Sequence, residues 1–307
     1  NRVRMPSRPA SSAALFASRA IAVSTAGFNI KGGRWWYGSA SAIDLNVGGT
    51  ACSFVDVRYW DSDGFDGFGT GTKTFSDSFG GWCGVGISTG SQGDVSSCHN
   101  GTANRDRILA VMGDKSGVGD TNQCVTNNNH VIAIGRNRPF AIFDNDATQG
   151  AQVFTNSAAV VIDGGDRPYV QNDGGLLTLR FVTIHGIGSA TGKEGVHNDV
   201  GATNASNTTL LDCIITNGLA TGINNGGGTA SRTYTIINSA TPTTGGVTGT
   251  TGNSTAAANL TNPDALDFRP ATGSPAIGAG LAIGGVTTDL AGVPRANPPA
   301  IGALEAA

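Results

Sequence analysis

The sequence predicts an all-β protein built as a single-stranded parallel β-helix, and three observations carry this prediction. Good helix formers are scarce, because the 307 residues include 47 Gly but only two Glu and four Lys. Apolar residues two positions apart, followed by a polar or Gly turn, occur in the segments 179–186 and 210–217, and this period is typical of short strands. Similar segments return about every 22 residues, which indicates a solenoid whose units stack on one another.

The repeat is aligned on four residues: Val160, Val182, Cys213 and Tyr234. The steps between them are 22, 31 and 21 residues, and we interpret the long step as one coil plus a loop at 188–200. With Leu179, these residues are expected to form one inward apolar column. An antiparallel sandwich is the alternative, but its strands would recur every 8–12 residues.

The chain divides into three parts. Residues 1–19 form a basic amino-terminal arm or cap, since six of the 19 basic residues and none of the 22 acidic residues lie in 1–43. Residues 20–238 form the β-helix, with a long Gly- and Ser-rich loop insertion at about 61–130. Residues 239–307 form a low-complexity linker and a non-helical carboxy-terminal capping tail.

The five cysteines show no metal-site spacing. Cys213 takes an inward strand position and is expected to be a small buried apolar residue. A disulfide such as Cys83–Cys98 would fit an extracellular or virion-surface setting.

The tail carries the most specific motif. Residues 267–280 read DFRPATGSPAIGAG, residues 288–295 read TDLAGVPR, and residues 301–305 read IGALE. These segments resemble the carboxy-terminal region of right-handed parallel β-helix proteins of the pectate lyase-like kind, whose tails read DFRL-x-x-GSPAIDAG, then TD-x-x-G-x-x-R, then DIGAYE. Gly278, Ala300 and Leu304 depart from that pattern, which weakens any polar tether there. The resemblance implies a right-handed helix with a capping tail, and its members include lyase-like enzymes, bacterial surface proteins and phage spike or decoration proteins.

No catalytic residue is assigned from the sequence. A hydrolase of this fold would need paired carboxylates, and only a fragment of the expected signatures occurs, at His185 and Gly186. A lyase would need a base together with a Ca²⁺ ion or a basic group. The candidates for that chemistry are Arg58, Arg180, Asp144, Asp146, Asp163 and Asp166.

Two binding sites are predicted. Asp61, Asp63 and Asp66 form an acidic, glycine-rich loop that could hold Ca²⁺, although a metal-free turn is the alternative. Trp35, Trp36 and Tyr37 could stack against sugar rings, although a cap or core contact is the alternative.

These features predict a structural or recognition protein on a virion or a bacterial cell surface, presenting a rigid face for attachment or glycan binding. The alternative is a polysaccharide lyase or glycoside hydrolase acting on acidic polysaccharide. The arm would attach to a capsid, tail or cell-surface protein, and a homotrimer is left open. We expect no nucleic-acid partner, no membrane span and no cofactor other than Ca²⁺.

Overall fold

The computed structural model describes strands from Ile21 onward, with side chains in residues 153–162, 168–188, 194–199, 205–217, 219–249 and 251–306. The predicted arm at 1–19 lies outside the described residues. The described part of the chain contains no α-helix, and one 3₁₀-helix, η1, spans Pro263–Ala265.

Three parallel sheets make up the body of the protein. Sheet A has ten strands: β1 (Ile21–Val23), β4 (Ile43–Asn46), β7 (Phe65–Phe68), β10 (Ile87–Thr89), β13 (Ser116–Asp120), β16 (Arg138–Phe143), β19 (Val170–Asp173), β22 (Glu194–Asp199), β25 (Thr221–Asn225) and β28 (Thr241–Thr244). Sheet B also has ten: β2 (Asn29–Lys31), β5 (Cys52–Val55), β8 (Lys73–Ser76), β11 (Gly101–Asn104), β14 (Cys124–Asn127), β17 (Ala151–Thr155), β20 (Leu176–Arg180), β23 (Asn207–Leu211), β26 (Thr229–Thr233) and β29 (Thr248–Gly249). Sheet C has nine: β3 (Arg34–Trp36), β6 (Arg58–Trp60), β9 (Phe79–Cys83), β12 (Arg107–Val111), β15 (His130–Ile134), β18 (Ala158–Ile162), β21 (Thr183–Ile187), β24 (Ile214–Thr216) and β27 (Ile236–Ile237).

Neighbouring strands in each sheet are three strands apart in the sequence. The chain therefore passes through sheets A, B and C in turn before it returns to sheet A, and we call one such passage a coil. Strand pairs in these sheets are parallel, as in β19 with β22 and β20 with β23. The architecture is parallel β-helix-like, and the antiparallel sandwich is wrong.

The predicted insertion at about 61–130 is wrong as well. Strands β7 to β14 lie in this stretch, and each pairs in parallel with a strand one coil away, as β8 does with β5 and β11. Similarly, β22 occupies 194–199, inside the loop expected at 188–200. Backbone hydrogen bonds between coils form whatever the side chain, so strands rich in Gly, Ser and Thr can join a sheet without an apolar alternation.

The core lies between the three sheets. Leu179, Val182 and Cys213 are fully buried, as predicted, whereas Tyr234 is only partly buried. Cys213 is a free thiol. The proposed disulfide stays a prediction, because Cys98 lies outside the described residues.

The register between the strands shows that two of the four residues aligned in the sequence repeat, Val160 and Tyr234, are not equivalent to the others. Thr183 aligns with Ile214, and Ile214 aligns with Ile236. Tyr234 therefore corresponds to Asp212 rather than to Cys213. Val160 aligns with His185 rather than with Val182.

One corner of the stack repeats an unusual backbone. Asn156, Phe181, Asp212 and Tyr234 follow successive strands of sheet B and have φ of 48°, 51°, 54° and 48°. A left-handed conformation costs a residue with a side chain roughly 1–2 kcal/mol. In each coil, however, the N–H of this residue donates to a carbonyl of the next coil, as Phe181 does to Leu211 at 3.0 Å. We call these four residues the corner row.

The tail, residues 256–306, lies along the side of the stack. It contains a short antiparallel pair, β30 (Leu260–Asn262) with β31 (Asp267–Pro270). Its apolar residues pack on the outer face of sheet C, where Phe268, Ala303 and Leu304 meet Ala158 and Val160. Ala258, Ala276 and Ile301 meet Ile214 and Ile236 in the same way.

The tail therefore covers the sides of coils, and the prediction that it caps the last coil is wrong. The reason is that the outer face of sheet C is itself apolar and must be removed from water.

Arg295 of the tail motif fixes the tail to the corner row. Its guanidinium lies 3.6 Å from the centre of the Phe181 ring and donates to Asn156 Oδ1 at 2.7 Å. It also pairs with Glu305 at 3.0 Å, and both side chains are almost fully buried. Asp289 accepts backbone N–H groups of three tail residues at 2.8–2.9 Å: Ala291, Val293 and Glu305. The tether thus depends on Asp289, Arg295 and Glu305, which lie in the tail segments 288–295 and 301–305.

Sheet A ends at strand β28. The N–H of Thr241 donates to Ala220 at 3.0 Å, toward the body of the sheet. The next residue, Pro242, has no N–H to offer on the opposite, free edge.

Candidate functional site

Polar side chains follow the outer face of sheet A across three strands. Gln171, His197 and Asn224 align in register on β19, β22 and β25. Asp173 and Asp199 align beside them, and Glu194 lies at the start of β22. Except for the end residue Asn225, the residues that alternate with them along the three strands are fully buried, so the six polar side chains occupy the solvent side. We call these six residues the polar strip.

The members of the polar strip are linked by hydrogen bonds. His197 Nδ1 lies 2.6 Å from Glu194 Oε2, and its Nε2 lies 3.4 Å from Asp199 Oδ2. Asn224 Nδ2 donates to Glu194 Oε1 at 2.7 Å, across to the next strand. Gln171 Nε2 donates to Asp173 Oδ2 at 2.5 Å. The side chains are therefore held in place before any ligand arrives.

The electrostatics of the polar strip centre on His197. The hydrogen bond to Glu194 raises the pKa of His197 to about 8 against the effect of burial, with further support from Asp199 and Asp173. Burial acts to raise the pKa of Glu194, but the hydrogen bonds from His197 and Asn224 outweigh it and the pKa falls below its usual value. At neutral pH the imidazole is thus mostly a cation and Glu194 is an anion.

These charge states limit the chemistry of the strip. A general acid needs a carboxyl group whose pKa is raised toward neutrality, and Glu194 has the opposite shift. No group of three or more His, Cys, Asp or Glu side chains among the described residues could hold a metal ion. The strip can instead accept hydrogen bonds through its carboxylate oxygens and accept or donate them through its amides.

A ladder of buried asparagines supports the strip from below. Asn172, Asn198 and Asn225 align in register, and Asn198 Nδ2 donates to Asn225 Oδ1 at 2.6 Å. Asn172 Nδ2 approaches Asn198 Oδ1 at 3.2 Å, and Asn225 Nδ2 donates to the Gly245 carbonyl at 2.8 Å. Buried amides satisfied in this way hold neighbouring strands in one register.

The predicted binding residues stay predictions. Asp61, Asp63 and Tyr37 lie outside the described residues, and Asp66 lies in strand β7. Trp35 and Trp36 lie in strand β3, where they align with Tyr59 and Trp60 of the next coil.

The basic groups considered for a lyase do not come from matching strands. Arg58 lies in strand β6 of sheet C, whereas Arg180 lies in strand β20 of sheet B. The four acidic candidates, Asp144, Asp146, Asp163 and Asp166, lie outside the described residues.

His185 of the partial hydrolase signature is a strand residue. It lies in β21 on the covered side of sheet C, 6% exposed, with its Nε2 3.0 Å from Asp264 Oδ1 of the tail. Burial lowers its pKa, and Asp264 opposes that shift. The tail therefore separates His185 from any ligand on this face.

Sequence reasoning missed the polar strip, although a signal was present. Residues 170–173 read VQND, residues 196–199 read VHND, and residues 223–225 read INN. Each segment alternates an inward apolar residue, an outward polar residue and an inward Asn. Read as repeats, they identify both the asparagine ladder and the strip.

Comparisons with protein-family models, with curated proteins and with solved structures found no match. In the part of the chain that the structure describes, no helix is long and apolar enough to cross a membrane.

Proposed function

We propose that this protein is a right-handed, single-stranded parallel β-helix that serves as a structural and recognition protein on a virion or a bacterial cell surface. Its polar strip on sheet A would bind glycans. Right-handedness follows from the general rule that crossovers between parallel strands of one sheet are right-handed. The surface location and an attachment role for residues 1–19 rest on the resemblance of the tail.

The polar strip is the observation that carries the recognition role. Carboxylates and amides fixed on a rigid sheet suit the hydroxyl groups of a sugar, since pre-ordered side chains lose little entropy on binding. The strip spans two strand spacings, about 10 Å, which matches a short oligosaccharide.

The charge of the strip favours a neutral glycan. Asp173, Glu194 and Asp199 outnumber the single cation His197, so a uronate chain would meet repulsion on this face. A lyase or hydrolase acting on acidic polysaccharide is the alternative, and the strip gives it no support.

The binding test compares neutral and uronate-containing oligosaccharides by glycan array and calorimetry at neutral pH. A hydrogen bond to a charged acceptor contributes about 1.5–3 kcal/mol, so Glu194→Gln and Asp199→Asn should each weaken a neutral ligand about 10- to 100-fold. Asp267→Asn is the matched control, because it removes a carboxylate from the tail. Equal loss in all three variants, or no bound glycan at all, would contradict the recognition role.

Activity is tested on the same uronate polysaccharides, with and without Ca²⁺. Unsaturated products or reducing ends would establish the enzyme alternative instead.

Attachment is tested by deleting residues 1–19. The deletion should abolish assembly onto the particle while the body stays folded, and unchanged attachment would remove the role of the arm.

A further inference from the structure

Asp212 lies where the tail crosses the corner row. Its side chain is completely buried, and it stands between Phe181 and Tyr234 of the neighbouring coils. Its Oδ1 accepts the N–H of Leu281 at 2.7 Å, and its backbone carbonyl accepts the N–H of Gly302 at 2.9 Å. Its Oδ2 is buried and has no hydrogen-bond partner. A carboxyl in this state is stable when neutral and costly when ionised.

The tail fits closely over this carboxyl. A Cβ added to Gly280 would lie 2.7 Å from Asp212 Oδ1 and 3.0 Å from the Pro299 carbonyl. The N–H of Gly280 donates to that same carbonyl at 2.8 Å. The two tail segments that meet here therefore leave no space for the carboxyl to turn toward water.

The charges around Asp212 do not compensate its ionised form. Arg295 is the nearby cation, but it is paired with Glu305 and lies over the Phe181 ring. Burial raises the pKa of Asp212 to about 6, against smaller opposing effects of the Leu281 N–H and of Arg295. Asp289 and Glu305 also interact with Arg295, so Asp212 shares this cation with two other carboxylates.

A second titratable contact of the tail has the opposite pH dependence. His185 meets Asp264, and burial lowers the pKa of His185. Its neutral form is favoured when the tail is docked, so its contribution to docking is lost as the pH falls. The effect of His185 on docking is therefore opposite in sign to that of Asp212, so a loss of docking at higher pH is assigned to Asp212.

We propose that the tail is a pH-responsive strap, held most tightly while the Asp212 carboxyl is neutral and loosened when that carboxyl ionises. Loosening would uncover the outer face of sheet C, including Ala158, Val160, Ile214 and Ile236. This is independent of the glycan-binding role, because the polar strip lies on another sheet.

The direction of the pH effect follows from the linkage between proton binding by Asp212 and docking of the tail. The docked pKa of about 6 is above the ordinary 3.8, so neutral Asp212 favours docking, and this contribution is lost as the pH rises through 6. A difference of about two pKa units changes the docking equilibrium by at most about 100-fold.

Hydrogen exchange on the whole chain at pH 5 and pH 8, corrected for intrinsic rates, tests the strap. Protection of the amides of Leu281 and Gly302 should fall about 10-fold at the higher pH, because a free carboxyl with a pKa of 3.8 is already ionised at pH 5. Asp212→Asn keeps the acceptor for Leu281 and suits the left-handed backbone, which Asn156 also adopts. Protection of the tail in this variant should therefore not fall at the higher pH. Asp267→Asn should behave like the unchanged protein.

A second variant keeps the proposal testable if Asp212→Asn does not fold. Gly280→Ala places a methyl group against the carboxyl, so it should lower tail protection at both pH values. Equal protection of the unchanged protein at both pH values would overturn the proposal. So would a pH-dependent fall that persists in Asp212→Asn.

Discussion

Replacing Arg295 by Met tests the idea that one buried cation fixes the tail. The substitution removes the ion pair with Glu305, the donation to Asn156 and the contact over the Phe181 ring. Removing one partner of a buried ion pair typically costs 3–5 kcal/mol, because the other charge is left uncompensated. A desolvated cation–π contact adds up to about 2 kcal/mol, and the apolar Met side chain recovers some packing. We therefore expect a loss of about 4 kcal/mol in tail docking.

The assay is chemical denaturation followed by circular dichroism, with hydrogen exchange to separate release of the tail from global unfolding. The double variant Arg295→Met with Glu305→Gln leaves no unpaired charge, so it should lose less than Arg295→Met alone. In the unchanged protein the Ala300 N–H donates to Glu305 Oε1 at 3.1 Å, and the Gln side chain keeps an oxygen that can accept this bond. A loss below 1 kcal/mol, or simple addition of the two single effects, would refute the reasoning.

Three further predictions concern the stack itself. Asn198→Ala should lower the free energy of unfolding by about 2–4 kcal/mol, because it leaves neighbouring amide groups of the ladder unsatisfied; urea denaturation measures this. His197→Gln should remove a pH-dependent contribution of about 1–2 kcal/mol, since 1.5 pKa units correspond to about 2 kcal/mol and partial exposure screens some of it. With a folded pKa of about 8, this stability is full below pH 6.5 and lost as the pH rises through 8. Comparing unfolding at pH 6 and pH 9 checks this, and an unchanged pH dependence would argue against it. Gly186→Ala should destabilise by about 1–3 kcal/mol, because its Cβ would lie 1.9 Å from Tyr169 Oη and 2.6 Å from the Asn217 carbonyl; a normal melting temperature would contradict that geometry.

The strands of the carboxy-terminal coils were predictable from apolar alternation. The segments at 179–186 and 210–217 contain strands of sheets B and C, and their inward residues Leu179 and Leu210 are fully buried. The same spacing of 22 residues occurs near the start, where Ile21 aligns with Ile43. In these places the side chains and the backbone favour the same structure.

The strands of 61–130 were not predictable in this way. Segments such as Gly101–Asn104 have little apolar character, and their pairing depends on the coils on either side. A strand whose position is set by pairing with neighbouring coils needs little apolar alternation of its own, so its sequence gives only a weak strand signal.

The candidate site depended on register, which the sequence alone gave only roughly. Glu194, His197 and Asn224 meet because β22 and β25 are aligned, and an error of one residue would place them on opposite faces. The left-handed backbone of Phe181 and Tyr234 was also unpredictable, because bulky residues seldom adopt it.

Pro242 has a consequence for how copies of the protein can associate. A stack of parallel strands ends in an open edge, and such an edge can template further strands from another molecule. On β28 the position that would donate outward is the proline nitrogen, so an incoming strand would find one backbone bond missing. We therefore expect weaker end-to-end association at this end of sheet A, and Pro242→Ala should make filaments easier to form at high protein concentration.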